Sequence, residues 1–81
     1  MSESEAINHD VELDTRGLNC PLPILRAKKA LGKMDETKIL KVISTDVGSL
    51  RDFEVFCKQT GHLLMQSETI DEEYIFFIEK H

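Results

Sequence analysis

Apolar and polar residues alternate near the start of the chain, and apolar runs lie near its end. In segments between them, apolar residues recur every three or four positions. The alternation in Val11–Thr15 ("VELDT") predicts a first strand. Lys38–Ser44 ("KILKVIS") is apolar and β-branched, which is typical of a central strand. Two further apolar runs, "HLLMQSETI" and "YIFFIEK", flank the acidic turn Asp71–Glu73 and predict a hairpin.

Two segments between these strands have the spacing of amphipathic helices. In the first, apolar residues recur at i, i+3, i+7 and i+10 from Ile24, and basic residues lie on the opposite face. The second follows "TDVGS", where Asp46 is the predicted N-cap, and Gly61 is suited to end it as the C′ residue. The predicted core-facing residues are Ile24, Ala27, Ala30, Leu31 and Met34 in the first helix, and Leu50, Phe53, Phe56 and Cys57 in the second.

The order of these elements, β-α-β-α-β-β, indicates the fold class. It predicts a two-layer α/β (α+β) sandwich, with a four-stranded mixed sheet and both helices on one face. The 81 residues suffice for one small domain, predicted over 11–81 after a flexible tail over 1–10. No apolar run approaches the ~20 residues that span a membrane. The first residues have no signal-peptide pattern, so we expect a soluble, cytoplasmic protein with no membrane partner.

Charge is unevenly distributed along the chain. Residues 16–41 hold seven Lys/Arg against two Asp/Glu, which is +5, whereas the rest holds three against thirteen, which is −10. The net charge of −5 argues against a general nucleic-acid binder. The basic segment is suited either to steering a partner protein or to forming a solvated helix face.

The chain has two cysteines, Cys20 and Cys57, with no CxxC spacing. We therefore expect neither a disulfide nor a zinc site. A metal site made of the two cysteines and His62 would have the wrong spacing and too few ligands. Cys57 lies on the predicted apolar face of the second helix, which favours an inert core residue.

Cys20 stands directly before the predicted start of the first helix. Pro21 suits the first helical position, Pro23 still lies in the first turn, and a proline keeps its predecessor out of the α region. A helix N-terminus has a partial positive charge that favours a thiolate, and Arg16 would add to it if the loop folds back. We therefore predict a moderately lowered pKa for Cys20, since the prolines remove two N–H donors. The structural alternative is a small buried hydrophobe.

No catalytic base is evident for this cysteine. The histidines are His9 in the predicted tail, His62 at a strand start and His81 at the terminus. A thiolate without acid–base groups is better suited to carrying sulfur as a persulfide, by thiol-exchange chemistry, than to hydrolysis.

Two stretches, "LDTRGLNCPLPILRAKKAL" and "STDVGSLRDFEVFCKQTGH", resemble the TusA family of sulfur-carrier proteins, also called SirA-like. The resemblance runs from about Val11 to the end. It implies the β-α-β-α-β-β fold, a sulfurtransferase-type persulfide relay on Cys20, and no cofactor or metal. It also implies a cysteine desulfurase or rhodanese-type protein as donor and a second relay protein as acceptor. The implied destination is the 2-thio group of wobble uridine in tRNA, with sulfur oxidation or molybdenum cofactor assembly as alternatives.

The same resemblance assigns supporting roles around the cysteine. Asp14, Arg16 and Gly17 match the lead-in of the family motif. Thr37 stands in a turn where the family frequently has Gly, which affects local turn geometry alone. The residues expected to support the motif are Arg16, Gly17, Pro21 and Pro23.

Five residues are expected to contact partner proteins. Leu22, between the prolines, stands where tRNA-thiolating members often have an acidic residue. This difference does not affect the carrier chemistry, but it leaves open which pathway receives the sulfur. The helix angle of Leu22 places it away from the core face, beside Arg26 and Lys29. Asp46 and Asp52 match the second-helix region of the family.

Two functions of other classes remain open from the sequence. A non-catalytic, regulatory interaction module would dock partners through the basic segment and the partly uncovered sheet face, with Cys20 incidental. An RNA-binding domain ranks last, because the basic helix has no aromatic residues for stacking. For the sulfur carrier itself, we expect a monomer.

Overall fold

Two helices cover one face of a four-stranded mixed sheet in the computed structural model, which describes residues 8–81. The strand order is β1-β2-β4-β3, with β1 and β2 parallel and the other pairs antiparallel. This confirms the predicted two-layer sandwich. The elements are β1 (Val11–Thr15), α1 (Leu22–Gly32), β2 (Ile39–Ser44), α2 (Ser49–Thr60), β3 (Leu63–Ile70) and β4 (Glu73–Glu79). Neither helix in this range is long and apolar enough to span a membrane.

The main core lies between the helices and the sheet. Alternate residues of the central strands face the helices, because successive side chains of a strand point to opposite faces. Leu50, predicted on this buried face, is instead 38% exposed. Periodicity gives the angle of a residue about the helix axis, whereas burial also depends on what lies opposite each turn. The buried members of the core are Ala27, Leu31, Leu40, Val42, Phe53, Phe56, Cys57, Phe76 and Ile78.

The sheet face without helices has a buried centre. Ile43, Ile75 and Phe77 form a second buried cluster on it. The His9 ring lies 6.2 Å from the Phe77 ring, and Lys41 Nζ lies 6.0 Å from the centre of that ring. Toward the edge of this face, Leu63 and Ile70 of β3 are 49% and 44% exposed. The exposed apolar surface that an interaction module could use here therefore lies along β3 rather than at the centre of the sheet.

The predicted tail over residues 1–10 falls largely outside the described range. The residues just before β1, however, contact the sheet. The Asp10 N–H donates to Ile39 O (2.8 Å), and the Asp10 carboxylate accepts the Ile39 N–H (2.8 Å). Ordered contacts therefore begin before Val11.

Individual residues and their hydrogen bonds end the helices, and a tight turn closes the hairpin. Gly61 has φ +85° and donates its N–H to Cys57 O (3.0 Å), as predicted for a C′ glycine. Lys80 Nζ donates to two carbonyls at the end of α1, at 2.7 and 2.9 Å, where a cation also complements the helix dipole. The hairpin turn consists of Asp71 and Glu72, both with positive φ. Glu73, predicted in the turn, is the first residue of β4.

Thr37→Gly is expected to stabilise the protein. Thr37 has φ +71°, a left-handed conformation that is unfavourable for a β-branched residue, and its N–H donates to Lys80 O (2.8 Å). Relief of this strain outweighs the added chain entropy of glycine in the unfolded state, so the free energy of unfolding should rise by about 1 kcal/mol in urea titrations. Thr37→Ala retains a Cβ and should give little gain. Equal stability of the two variants would contradict the prediction.

Candidate functional site

The loop after β1 is shaped by a tight turn. The N–H of Leu18 donates to Thr15 O (3.1 Å), and the Thr15 hydroxyl is buried and donates to Ile43 O (2.6 Å). Gly17, the third residue of this turn, has φ +84° and donates its N–H to Thr45 Oγ1 (2.9 Å). A residue with a side chain is strained in that conformation, so Gly17 allows the chain to turn toward Cys20.

Arg16 links the end of β1 to β4 through exposed ion pairs. Its guanidinium donates to both oxygens of Asp14 (2.9 and 2.8 Å) and to Glu73 Oε2 (3.3 Å). The Arg16 hydrogen bonds lower the pKa of Asp14 to about 2. These bonds hold the Arg16 side chain at the two carboxylates, and Arg16 is not among the groups that shift the pKa of Cys20, contrary to the charge expected from it.

The first helix begins one residue later than predicted. Pro21 is the N-cap rather than the first helical residue, and its carbonyl accepts the Leu25 N–H (3.1 Å). Pro23 is in the first turn and buried. The Leu22 N–H donates to Asn19 O (2.8 Å), which closes a turn around Cys20 and gives this first-turn N–H a partner. Pro21, with φ −100° and ψ 18°, lies outside the helical region. The Cys20–Pro21 peptide bond in this turn is cis.

The two cysteines have opposite environments. Cys20 is exposed, so the interpretation as a buried hydrophobe does not apply to it. Cys57 is buried in the main core, as predicted, and burial raises the pKa of its thiol to about 11.

Carboxylates from the start of α2 reach Cys20. Asp46 Oδ2 accepts the Cys20 N–H (3.1 Å), so Asp46 is not the predicted side-chain cap of α2, whose N-cap is Gly48. The Asp52 carboxylate, in the first turn of α2, is the second acidic group beside the Cys20 thiol. Gly48 lies beside both acids, and a Cβ there would be 3.3 Å from Asp46 Oδ2. The sequence does not single out Gly48 as a residue that makes room for Asp46.

These neighbours raise the pKa of Cys20. The largest cause is the hydrogen bond to Asp52, followed by desolvation and by the negative charges of Asp52 and Asp46. The lowered pKa predicted from the helix start is therefore wrong. The carboxylates of Asp52 and Asp46, which lie close to the sulfur, favour the protonated thiol instead.

Cys20 lines an open, mostly apolar groove of about 330 Å³ between α1 and α2, hereafter the thiol groove. The residues Arg51, Val55 and Gln59 form one wall at i, i+4 and i+8 along α2. Sequence reasoning missed them, although the helix spacing next to Asp52 could have indicated this face. The other lining residues are Pro21, Ile24, Asp52 and Phe56.

The predicted docking residues divide into two groups. Asp46 and Asp52 lie at Cys20. Leu22, Arg26 and Lys29 are exposed on α1 but do not line the thiol groove. Among residues 8–81, no three His, Cys, Asp or Glu side chains are grouped as metal ligands.

An exposed thiol at a helix start, with two carboxylates and no histidine among the described groups that act on it, is suited to carrying a group. Comparison with known proteins agrees. The family Sulfurtransferase TusA matches residues 11–80. The sulfur carrier protein TusA of Allochromatium vinosum is 55% identical over 71 residues, which cover 88% of this chain and 93% of the relative. The sulfur carrier protein TusA of Pseudomonas entomophila is 38% identical over 72 residues, 89% of this chain and 90% of the relative.

A solved structure extends the likeness to the fold. The SirA-like protein from Desulfitobacterium hafniense superposes with a TM-score of 0.71 at 26% identity, covering 86% of this chain and 96% of the other. The class is thus that of small sulfur carriers. The chain belongs to the TusA family of sulfurtransferases, as its resemblance implied.

Proposed function

We propose that Cys20 carries the sulfur as a persulfide, received from a cysteine desulfurase or rhodanese-type donor and passed to a second relay protein. The observation that carries this proposal is the contrast between the two cysteines. Cys20 is exposed and lines the thiol groove, whereas Cys57 is buried in the core. A donor's persulfide can reach Cys20 without unfolding of the domain.

The transfer is a sulfane-sulfur exchange that balances without an external oxidant. Cys20 releases its proton to solvent, and the resulting thiolate attacks the outer sulfur of the donor's persulfide. A new S–S bond forms on Cys20, the S–S bond of the donor breaks, and the donor cysteine leaves as a thiolate that takes up a proton. In the second step the acceptor's thiolate attacks the outer sulfur, and Cys20 leaves in the same way.

The carboxylates give this carrier a means of holding its cargo. A thiol with a high pKa is a poor leaving group, so Asp52 and Asp46 slow the loss of sulfur to stray thiols. A cationic partner side chain placed against Asp52 would lower the pKa of Cys20 and speed attack and release. This is the docking role that we propose for the two acids.

We further propose that the sulfur goes to the 2-thio group of wobble uridine in tRNA, with sulfur oxidation or molybdenum cofactor assembly as alternatives. The acceptor protein, and not this chain, would contact the RNA. The Leu22 side chain is 42% exposed and lies two residues from Cys20, which favours partners with an apolar contact surface. The protein is proposed to act as a cytoplasmic monomer without a bound cofactor.

Mass spectrometry tests the carrier chemistry. After incubation with a cysteine desulfurase and cysteine, the protein should gain one sulfur atom, and thiol reductant should remove it. Cys20→Ser should gain none, whereas Cys57→Ala should still be loaded, because Cys57 is buried. No gain with desulfurase or rhodanese-type donors, or an equal gain on Cys20→Ser, would overturn the proposal.

Cellular replacement tests the destination and the alternative class. Cells that hold only Cys20→Ser should lose 2-thiouridine from their tRNA. Unchanged 2-thiouridine with impaired sulfur oxidation or molybdoenzyme activity would assign the pathway to one of those routes. Full function of Cys20→Ser in all three assays would instead favour a non-catalytic interaction module.

A further inference from the structure

A second groove lies between α1 and β1, on a different flank of α1 from Cys20. It has a volume of about 470 Å³ and shares no lining residue with the thiol groove. Its apolar part consists of Val11 and Leu13 from β1, with Ala30 and Met34 from the α1 side. Val11 is 37% exposed at the edge of the sheet. This is an apolar surface that the described chain leaves open.

Three cations border the same groove. Arg26, Lys29 and Lys33 all line it and are all exposed. None of them forms an ion pair with an acidic group of residues 8–81. The spacing i, i+3 and i+7 places them along one side of α1. The groove therefore combines an apolar floor with a positive rim.

The floor of the groove belongs to an open strand edge. Within the described range β1 pairs with β2 on one side, and its other edge has no neighbour. The opposite edge strand, β3, has a register irregularity between Leu64 and Gln66, of the kind that discourages further pairing. β1 has no such irregularity, no proline and no lysine, and its two charged residues, Glu12 and Asp14, lie on the sheet face away from the groove. Its backbone N–H and C=O groups are available for strand addition.

We propose that this groove docks an extended, acidic segment of a partner protein as an added strand on β1. The main chain of the segment would pair with the free edge of β1, its apolar side chains would cover Val11 and Leu13, and its carboxylates would face the positive rim. Such a site holds a partner while Cys20 stays accessible. It is therefore separate from the transfer site and does not depend on the chemistry of the carried group.

Charge complementarity decides between the three possible occupants. A second copy of this chain, paired through β1, would bring its own Arg26, Lys29 and Lys33 toward the same three cations, which is repulsive. Single-stranded RNA would find phosphate-binding cations but no aromatic side chain in the lining for base stacking. An acidic peptide can pair its carboxylates with the three cations, pack apolar side chains on the floor of the groove and form backbone hydrogen bonds with the free edge of β1.

Chemical-shift mapping on the whole protein tests the site. The probe is a capped peptide that repeats Glu-Thr-Leu-Thr. In an extended strand, one face of this peptide bears the glutamates and leucines and the other bears the threonines. Addition of the peptide should shift amide signals of β1 and of the adjacent flank of α1, leave those around Cys20 unchanged, and slow hydrogen exchange at the β1 edge. Shifts confined to α2 or to the thiol groove, or no shifts at millimolar peptide, would overturn the proposal.

Matched charge reversals supply the control. Lys29→Glu should weaken peptide binding about tenfold, whereas Lys58→Glu, an equal charge change on the exposed side of α2, should leave it nearly unchanged. The same peptide with lysine in place of glutamate should not bind. Equal weakening by both reversals would show that the attraction is non-specific. Tighter binding of an RNA oligonucleotide at β1, or a dimer mediated by β1, would also overturn the assignment.

Discussion

Asp52→Asn is expected to lower the pKa of Cys20 and to speed its alkylation at neutral pH. The Asp52 carboxylate favours the protonated sulfur both as a hydrogen-bond acceptor for the thiol and through its negative charge. Asparagine keeps the size and an acceptor oxygen but removes the charge. Each unit of pKa above the working pH reduces the thiolate fraction about tenfold, so the rate at pH 7 should rise by about three- to tenfold.

The measurement is the rate of iodoacetamide modification of Cys20 as a function of pH, followed on the peptide by mass spectrometry. Because the folded-state pKa of Cys20 is raised, the midpoint of the wild-type curve should lie above that of a free thiol, and Asp52→Asn should move it down. Glu54→Gln removes the same charge from an exposed position of α2 outside the thiol groove and should leave the curve unchanged. A midpoint that rises or stays fixed in Asp52→Asn would contradict the assigned role of the carboxylate.

Asp52→Asn also tests how well Cys20 retains its sulfur, separately from how fast it reacts. A lower thiol pKa makes Cys20 a better leaving group, so the loaded Asp52→Asn protein should lose its sulfur to small thiols faster than the wild type. Asp46→Asn should have a smaller effect on both rates. The amide oxygen of asparagine can still accept the Cys20 N–H, and Asp46 contributes to the pKa through charge alone.

The fold was predictable because its elements are encoded locally. The alternation in Val11–Thr15 and the glycine at position 61 indicated the limits of a strand and a helix, and the structure has both. The position of Cys20 before a proline-marked helix start was also local information. The predicted start was one residue early because Pro21 has φ −100° and ψ 18°, outside the helical region, which its residue type alone does not reveal.

The electrostatics of the site could not be predicted in the same way. Asp46 has the local sequence of a helix cap, but a donor 26 positions away, the Cys20 N–H, takes its carboxylate instead. Sequence spacing shows which residues share a helix face and not which loop folds over a helix end. The expected sign of the Cys20 pKa shift was therefore taken from the start of α1, whereas the structure adds Asp46 and Asp52 near the start of α2, which favour the opposite sign.

Phe53→Ala is expected to remove most of the stability of the domain. Phe53 is completely buried, stacks on Phe76 with 4.6 Å between ring centroids, and meets Phe56 edge-on at 6.4 Å. Truncation of such a residue costs about 3–5 kcal/mol, through lost burial and the cavity that remains. Since small domains have a total stability of about 5–15 kcal/mol, the variant should unfold at much lower urea concentration in circular dichroism.

Val55→Ala supplies the comparison on the same helix. Val55 is largely exposed, so its truncation should cost less than about 0.5 kcal/mol, and Phe53→Leu should fall between the two because it leaves a smaller cavity. Phe53 follows Asp52 directly, so a loosened α2 should also shift the alkylation curve of Cys20 toward that of Asp52→Asn while the variant is still folded. Equal stability of Phe53→Ala and Val55→Ala would contradict the prediction. The aromatic stack would then not be what holds α2, and the Asp52 carboxylate on it, beside the Cys20 thiol.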